Sequence, residues 1–170
     1  MDKVVLQSHG LSLVVARESH VAKFLEDLSD ENKREFSELY ESDPLVEVPK
    51  LFDFNQIAYV VVFREEILAL TGIDENGVMW SLFSKKMKNN FLRFARATES
   101  LMDYYHKIHE YIVCHVWTEN KEICQWLVFA GFIPVSMHKH PSSNLKLVEF
   151  VHCNSEENNL SSKSLRPVMH

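Results

Sequence analysis

Long apolar runs are missing from this chain. The most apolar stretch, "IAYVVVF" (57–63), falls far short of the roughly 20 residues a helix needs to cross a bilayer. The opening "MDKVVLQSHG" has no apolar core of the kind a secretory signal carries. Positive charge is short too: 18 Lys and Arg stand against 24 Asp and Glu, a formal net charge of -6. Such a body has no general attraction for nucleic acid or an anionic membrane surface. Neither partner is expected, and any anion site must be a local basic patch. Cysteine is limited to Cys114, Cys124 and Cys153, an odd number without metal-ligand spacing. Two of them lie in apolar segments and read as small buried hydrophobes. A soluble chain in a reducing, cytoplasmic compartment is the expectation. Glycine is scarce as well, with 4 in 170 residues and none between Gly77 and Gly131.

What is present is an alternation of strands and helices in one domain, expected over 1–153. "LSLVVA" (11–16) reads as a first strand, rich in β-branched residues. Ser19 and then Ser29–Asp30 open helices over 20–28 and 31–40. Pro44 and Pro49 are read as breaks. Strands follow at 57–63 and 67–72, joined by the polar turn "REE", and "DENG" (74–77) leads into a fourth, "VMWSLF". Phe91, Phe94, Ala95, Thr98, Leu101, Met102, Tyr105 and Ile108 recur at spacings of three and four, which predicts a long amphipathic helix. "YIVCHVW" (111–117) is the fifth strand. A helix from Glu119 or Asn120 to Gly131 and two last strands, "FIPVSMH" and "LKLVEFV", complete the domain. The order β-α-α-β-β-β-α-β-α-β-β implies a mostly antiparallel sheet flanked by helices. The tail, 154–170, is rich in Ser and Asn and is expected to be flexible.

In "HVWTENKEICQWLVFAGF" (115–132), Asn120, Gly131 and Phe132 fall at the spacing Asn-x-x-Ala-x-x-x-Tyr-x-x-x-Gly-Phe, with Ile123 and Leu127 in the alanine and tyrosine places. With the long helix between the fourth and fifth strands, this resembles the GNAT (GCN5-related N-acetyltransferase) superfamily. A narrower likeness, over 78–135, rests on "MWSLF", "FLRFARATESLMDYY", "VW" and "WLVFAGF". It is to GNAT-like proteins of tailed phages, of the internal virion or virion-assembly type. The resemblance implies an α/β fold with a mixed, mostly antiparallel sheet splayed between strands 4 and 5. It implies acetyl-CoA as the cofactor to consider, and no other.

The chain departs from that pattern where chemistry is concerned. Active GNAT enzymes grip the CoA pyrophosphate with a glycine loop, Gln/Arg-x-x-Gly-x-Gly/Ala, at the start of the long helix. Here the loop reads "SKKMKNN" (84–90). Lys85, Lys86 and Lys88 offer point charges instead, and Asn89 or Asn90 a helix cap; Arg93 and Arg96 extend the positive strip. Backbone groups of Trp80, Ser81, Leu82, Phe83 and Ser84 would line the cofactor arm, and Asn120 the start of the following helix. The fourth strand has no Asp or Glu to act as base. The family's tyrosine acid is replaced by Leu127, which has no proton to donate. His115 is the remaining candidate base, since neutral imidazole accepts a proton near pH 7.

Other signals are weaker. His106/His109 and His138/His140 have pairwise spacing but no third ligand nearby, so no metal site is expected. Cys114 and His115 are adjacent and would face opposite sides of a strand. Phe129 falls outside the apolar stripe of its helix, as an interface residue would. Two functions remain. One is a GNAT-fold protein with a degenerate acetyl-CoA site, acting by contact with a phage structural or host protein in virion assembly or infection, in the host cytoplasm or the virion. The other is an active acyl-CoA-dependent N-acetyltransferase on a protein or small-molecule amine.

Overall fold

The computed structural model describes residues 2–50, 57–141 and 143–154. The expected tail lies outside them from residue 155 onward. β1 (Val4–Ser8) and β2 (Leu11–Val15) form a hairpin across His9 and Gly10, both at positive φ (51° and 78°). Two left-handed residues in a row give the turn whose twist suits a hairpin. β3 (Ile57–Phe63), β4 (Glu66–Ile73) and β5 (Met79–Phe83) complete an antiparallel sheet in the order β1-β2-β3-β4-β5. β6 (Tyr111–Trp117), β7 (Ile133–Lys139) and β8 (Lys146–Cys153) form a second sheet, ordered β6-β8-β7. Among the described residues the sheets join at one parallel bridge, Val78–Val113, where the Val113 N–H donates to the Gly77 carbonyl at 2.9 Å. Beyond it β5 and β6 part. These are the fourth and fifth strands of the sequence reading, so the splay lies where it was expected.

Strand alternation sends side chains to two helical layers. Leu13, Val61 and Ala69 pack with α4 (Phe91–Tyr105) and α5 (Lys121–Phe129). Val14, Val60 and Leu70 pack with α1 (Glu18–Glu26), α2 (Asp30–Tyr40) and α3 (Pro44–Lys50). α4 buries Phe94, Ala95, Thr98, Leu101, Met102 and Tyr105, the stripe its periodicity predicts. The helix ends at Tyr105, so Ile108 lies in the following turn, exposed.

Three elements differ from the sequence reading. β1 precedes the expected first strand. α3 forms where the prolines were read as breaks. Pro44 opens that helix, at a position whose N–H has no partner in the helix anyway, and Val48 anchors it, fully buried. The segment 85–90, expected as a loop, is a 3-10 helix leading into α4.

Candidate functional site

The site grows from the parting of β5 and β6. Along β5 the backbone alternates. The Ser84 N–H donates to the Leu68 carbonyl on β4 (2.9 Å), while the Phe83 N–H turns the other way, to Asn32 Oδ1 (2.7 Å). Odd-numbered residues of β5 therefore present their polar backbone to the gap. At Phe83 that edge is occupied, because its carbonyl also accepts from the Ser29 N–H at 3.0 Å. The edge at Ser81 faces the gap.

Two neighbouring hollows that share part of their lining fill the space. The larger, about 640 Å³, is walled mainly by the 3-10 helix, the start of α4 and α5, with Ser84, Met87, Lys88, Phe91, Gln125 and Phe129 in its lining. The smaller, about 370 Å³, lies toward α2 and α3, with Glu35, Glu47, Lys50, Ser81 and His115. Asn32, Phe83, Asn120, Ile123 and Trp126 line both. Met87 and Trp117 are buried, at 5% exposure each, yet the gap stays open.

The residues expected to bind cofactor are only partly brought together. Trp80, Ser81, Leu82 and Phe83 line the smaller hollow, Ser84 and Lys88 the larger, and Asn120 both. Asn120 also caps α5, accepting from the Ile123 N–H at 3.4 Å. The lysines are engaged with carboxylates: Lys85 with Asp30 (3.5 Å), Lys86 with Asp27 (3.0 Å) and Glu66 (3.5 Å), Lys88 with Glu31 (3.0 Å). These bonds raise the Lys86 and Lys88 ammonium groups above their ordinary range. Lys85 and Lys86 are absent from the lining of either hollow. Asn89 lies in a separate open hollow with His9, Arg93 and Arg96. Neither asparagine caps α4: its N-cap, Asn90, makes no such bond and donates instead to the Lys86 carbonyl at 3.1 Å. Ser84 Oγ is buried without a hydrogen-bond partner among the described residues.

His115 stands on the opposite side of β6 from the buried Cys114, with Nδ1 3.9 Å from Glu149 Oε2 and its ring edge-on to His138 at 5.3 Å. Leu127 is core, at 1% exposure. Burial pushes the Cys114 thiol up to about 12, which leaves it protonated and unreactive. No group of three or more His, Cys, Asp or Glu among the described residues could hold a metal ion. No helix there is long and apolar enough to cross a membrane.

No protein-family model and no curated protein sequence matches the chain. Solved structures do. A GNAT-family acetyltransferase from Bacillus anthracis superposes with a TM-score of 0.68 at 13% identity, over 90% of this chain and 98% of that one. A spermidine N-acetyltransferase from Vibrio cholerae, in complex with CoA and spermine, gives 0.67 at 16% identity, over 89% and 100%. The ribosomal-protein-S5-alanine acetyltransferase from Vibrio fischeri gives 0.64 at 14%, over 91% and 98%.

The chain has the GNAT fold.

Within that GNAT fold, one group escaped the sequence reading. Glu35, on α2, reaches the smaller hollow. Burial pushes its carboxyl above the ordinary carboxylate range, opposed by a hydrogen bond from Asn32. A signal did exist. Asn32, Phe36 and Leu39 mark the buried stripe of α2, and Glu35 sits three residues after Asn32 on the same side. The fourth strand, where the resemblance implies a carboxylate base, has no Asp or Glu.

Proposed function

We propose that the gap is the cleft of an acyl-thioester-dependent N-acyltransferase, with acetyl-CoA as the acyl donor. The observation that carries this is the pair of hollows beside the parted strands that share Asn32, Phe83, Asn120, Ile123 and Trp126 in their walls. A donor held on the α4–α5 side and an acceptor on the α2–α3 side can meet there. The residues fit the donor's arm. A linear, amide-bearing chain is matched by a free strand edge, which Ser81 offers, and by the unpaired Ser84 Oγ. They fit its phosphates less well, since Lys88 shares the larger hollow with Glu31 and Glu122. The grip would fall mainly on the arm. Bound here, the thioester supplies an activated carbonyl and a thiol leaving group; the chain supplies position and exclusion of water, with Trp126 and Phe83 as the apolar walls.

Calorimetric titration with acetyl-CoA tests the reading, alongside a Ser84→Val, Lys88→Ala double variant. Micromolar binding, weakened at least tenfold in the variant, is the expected result. Absence of heat and of any thermal shift at millimolar acetyl-CoA would overturn it.

A second reading keeps the fold and gives up the chemistry: a phage-type protein acting in virion assembly or infection by contact with a structural or host protein. Two features support it. The loop lysines are neutralised by carboxylates, and Phe129, Ile133, Val135 and Met137 are exposed, Phe129 at 74%. Capture of one stoichiometric protein partner by a chain that fails to bind acetyl-CoA is its expected signature.

A further inference from the structure

β7, the border strand of its sheet among the described residues, is exposed at every position from Ile133 to Lys139. An antiparallel strand ordinarily buries one of its faces, and β8 beside it does so through Leu147 and Phe150. β7 instead carries Ile133 (59% exposed), Val135 (54%) and Met137 (63%) into solvent. The end of α5, which packs against β7, adds Val128 (56%) and Phe129 (74%). Exposed apolar residues are ordinary one at a time. Five within ten residues of chain make a face.

Charge and area say what covers it. From Ile123 to His138 there is no Asp, Glu, Lys or Arg, the longest such run in the chain. The chain carries a net charge of -6, so two copies repel over most of their surface. On this face they meet without bringing like charges together. The five side chains offer on the order of 500 Å² of apolar surface, near the upper limit for a monomer. Two such faces, with the backbone between them, approach the roughly 1,200 Å² at which stable interfaces begin. Addition of a strand to the edge is not the mode. Pro134 has no N–H to give, and the register shifts between Pro134 and Ser136, so the edge is a broken template for another strand. Packing about a two-fold axis needs no template, because it sets one patch against its own copy. We infer that the face formed by β7 and the end of α5 is covered by the same face of a second copy of this chain, in a two-fold dimer. Phe129 also walls the larger hollow, so the second copy borders the mouth of the cleft. The inference does not depend on acyl transfer.

Sedimentation velocity of the full chain from about 1 to 100 µM tests it, a range suited to an interface at the small end of the stable class. Val135→Lys places two like charges at the interface. Leu45→Lys is the control, since it charges an exposed apolar residue of α3 (59%) away from that face. Wild type and Leu45→Lys should pass from monomer to dimer with the same dissociation constant. Val135→Lys should dimerise at least tenfold more weakly, with a matching circular-dichroism spectrum. Hydrogen exchange of wild type gives a reading that needs no variant: the amides of residues 133–137 should slow as concentration rises, and those of α3 should not. A wild type that stays monomeric at 100 µM overturns the inference. Bare β7 amides would then mark a face left for a foreign protein, and amides protected until residues 155–170 are removed a face covered by the chain's own tail. A folded Val135→Lys protein that dimerises as wild type does, or slowing confined to other segments, overturns it as well.

Discussion

Lys88 Nζ lies 3.0 Å from Glu31 Oε1, joining the 3-10 turn before α4 to the first turn of α2 across the mouth of the larger hollow. The Glu31 carboxyl is held below its ordinary range by its own backbone N–H and then by Lys88. The charge that would meet a phosphate is therefore already answered. Glu31→Gln should free it. In low salt we expect acetyl-CoA to bind about threefold more tightly to this variant, in keeping with an exposed ion pair. Calorimetry in 20 and in about 150 mM salt checks both the gain and its screening.

Leu127 stands where the family pattern has a tyrosine, and it is fully enclosed by the core. Restoring the tyrosine should not restore an acid. Leu127→Tyr overfills a packed site and should cost about 1–3 kcal/mol of stability, read from urea unfolding. A variant that is both stable and more active in thiol release would contradict this placement.

Trp126 Nε1 donates to Thr98 Oγ1 at 3.2 Å inside the core, and the Thr98 hydroxyl donates onward to the Phe94 carbonyl at 2.9 Å. Thr98→Val keeps the shape and strands the indole N–H. The expected cost is about 1–3 kcal/mol, the penalty of an unsatisfied buried donor. Thr98→Ser should recover most of it.

Glu35 also makes a statement about stability. Its folded carboxyl is raised, chiefly by burial, so the folded state holds that proton more tightly than the unfolded chain does. Stability from this group is then present at low pH and lost as pH rises from the unfolded value, about 4.3, through the folded one. Glu35→Gln should melt higher than wild type at pH 7.5, with the advantage shrinking as pH falls through the folded value toward about 4.3 and constant below it.

His152 works in the opposite sense. Burial, then the neighbouring His106, depress its imidazole; His106 Nε2 lies 2.8 Å from His152 Nδ1. The unfolded chain binds this proton more readily than the folded one, so stability is complete above about pH 6.5 and falls as pH drops through the depressed value. His152→Gln should flatten the melting-temperature profile below about pH 6.5.

Some of this was legible in the chain, for identifiable reasons. The α4 stripe is written in local spacing, and Asn120 and Gly131 declare the ends of α5 through their backbone needs. β1 was missed because "VVLQS" carries too little pattern; it earns its place by pairing with β2, a tertiary event. α3 was missed because proline is read as a breaker, while Pro44 sits at the one end of a helix that tolerates it. The lysines of 85–88 looked like a free basic patch because their partners, Asp27, Asp30, Glu31 and Glu66, are distant in sequence. Glu35 was hidden for a related reason. A glutamate in a polar helix is usually solvated, and only the docking of α2 against β5 turns this one inward.

The single bridge between Val78 and Val113 makes the cleft a taper. Next to it, a side-chain carbon at Gly77 would come within 2.6 Å of the Tyr111 carbonyl, so the closed end has no slack. From there β5 and β6 diverge. Trp126 walls the gap from α5, meeting Phe83 of β5 edge-on at 6.0 Å and Phe94 of α4 at 5.2 Å. Such a taper acts as a gauge: how far a guest slides toward Gly77 is decided by its width, before any hydrogen bond is made.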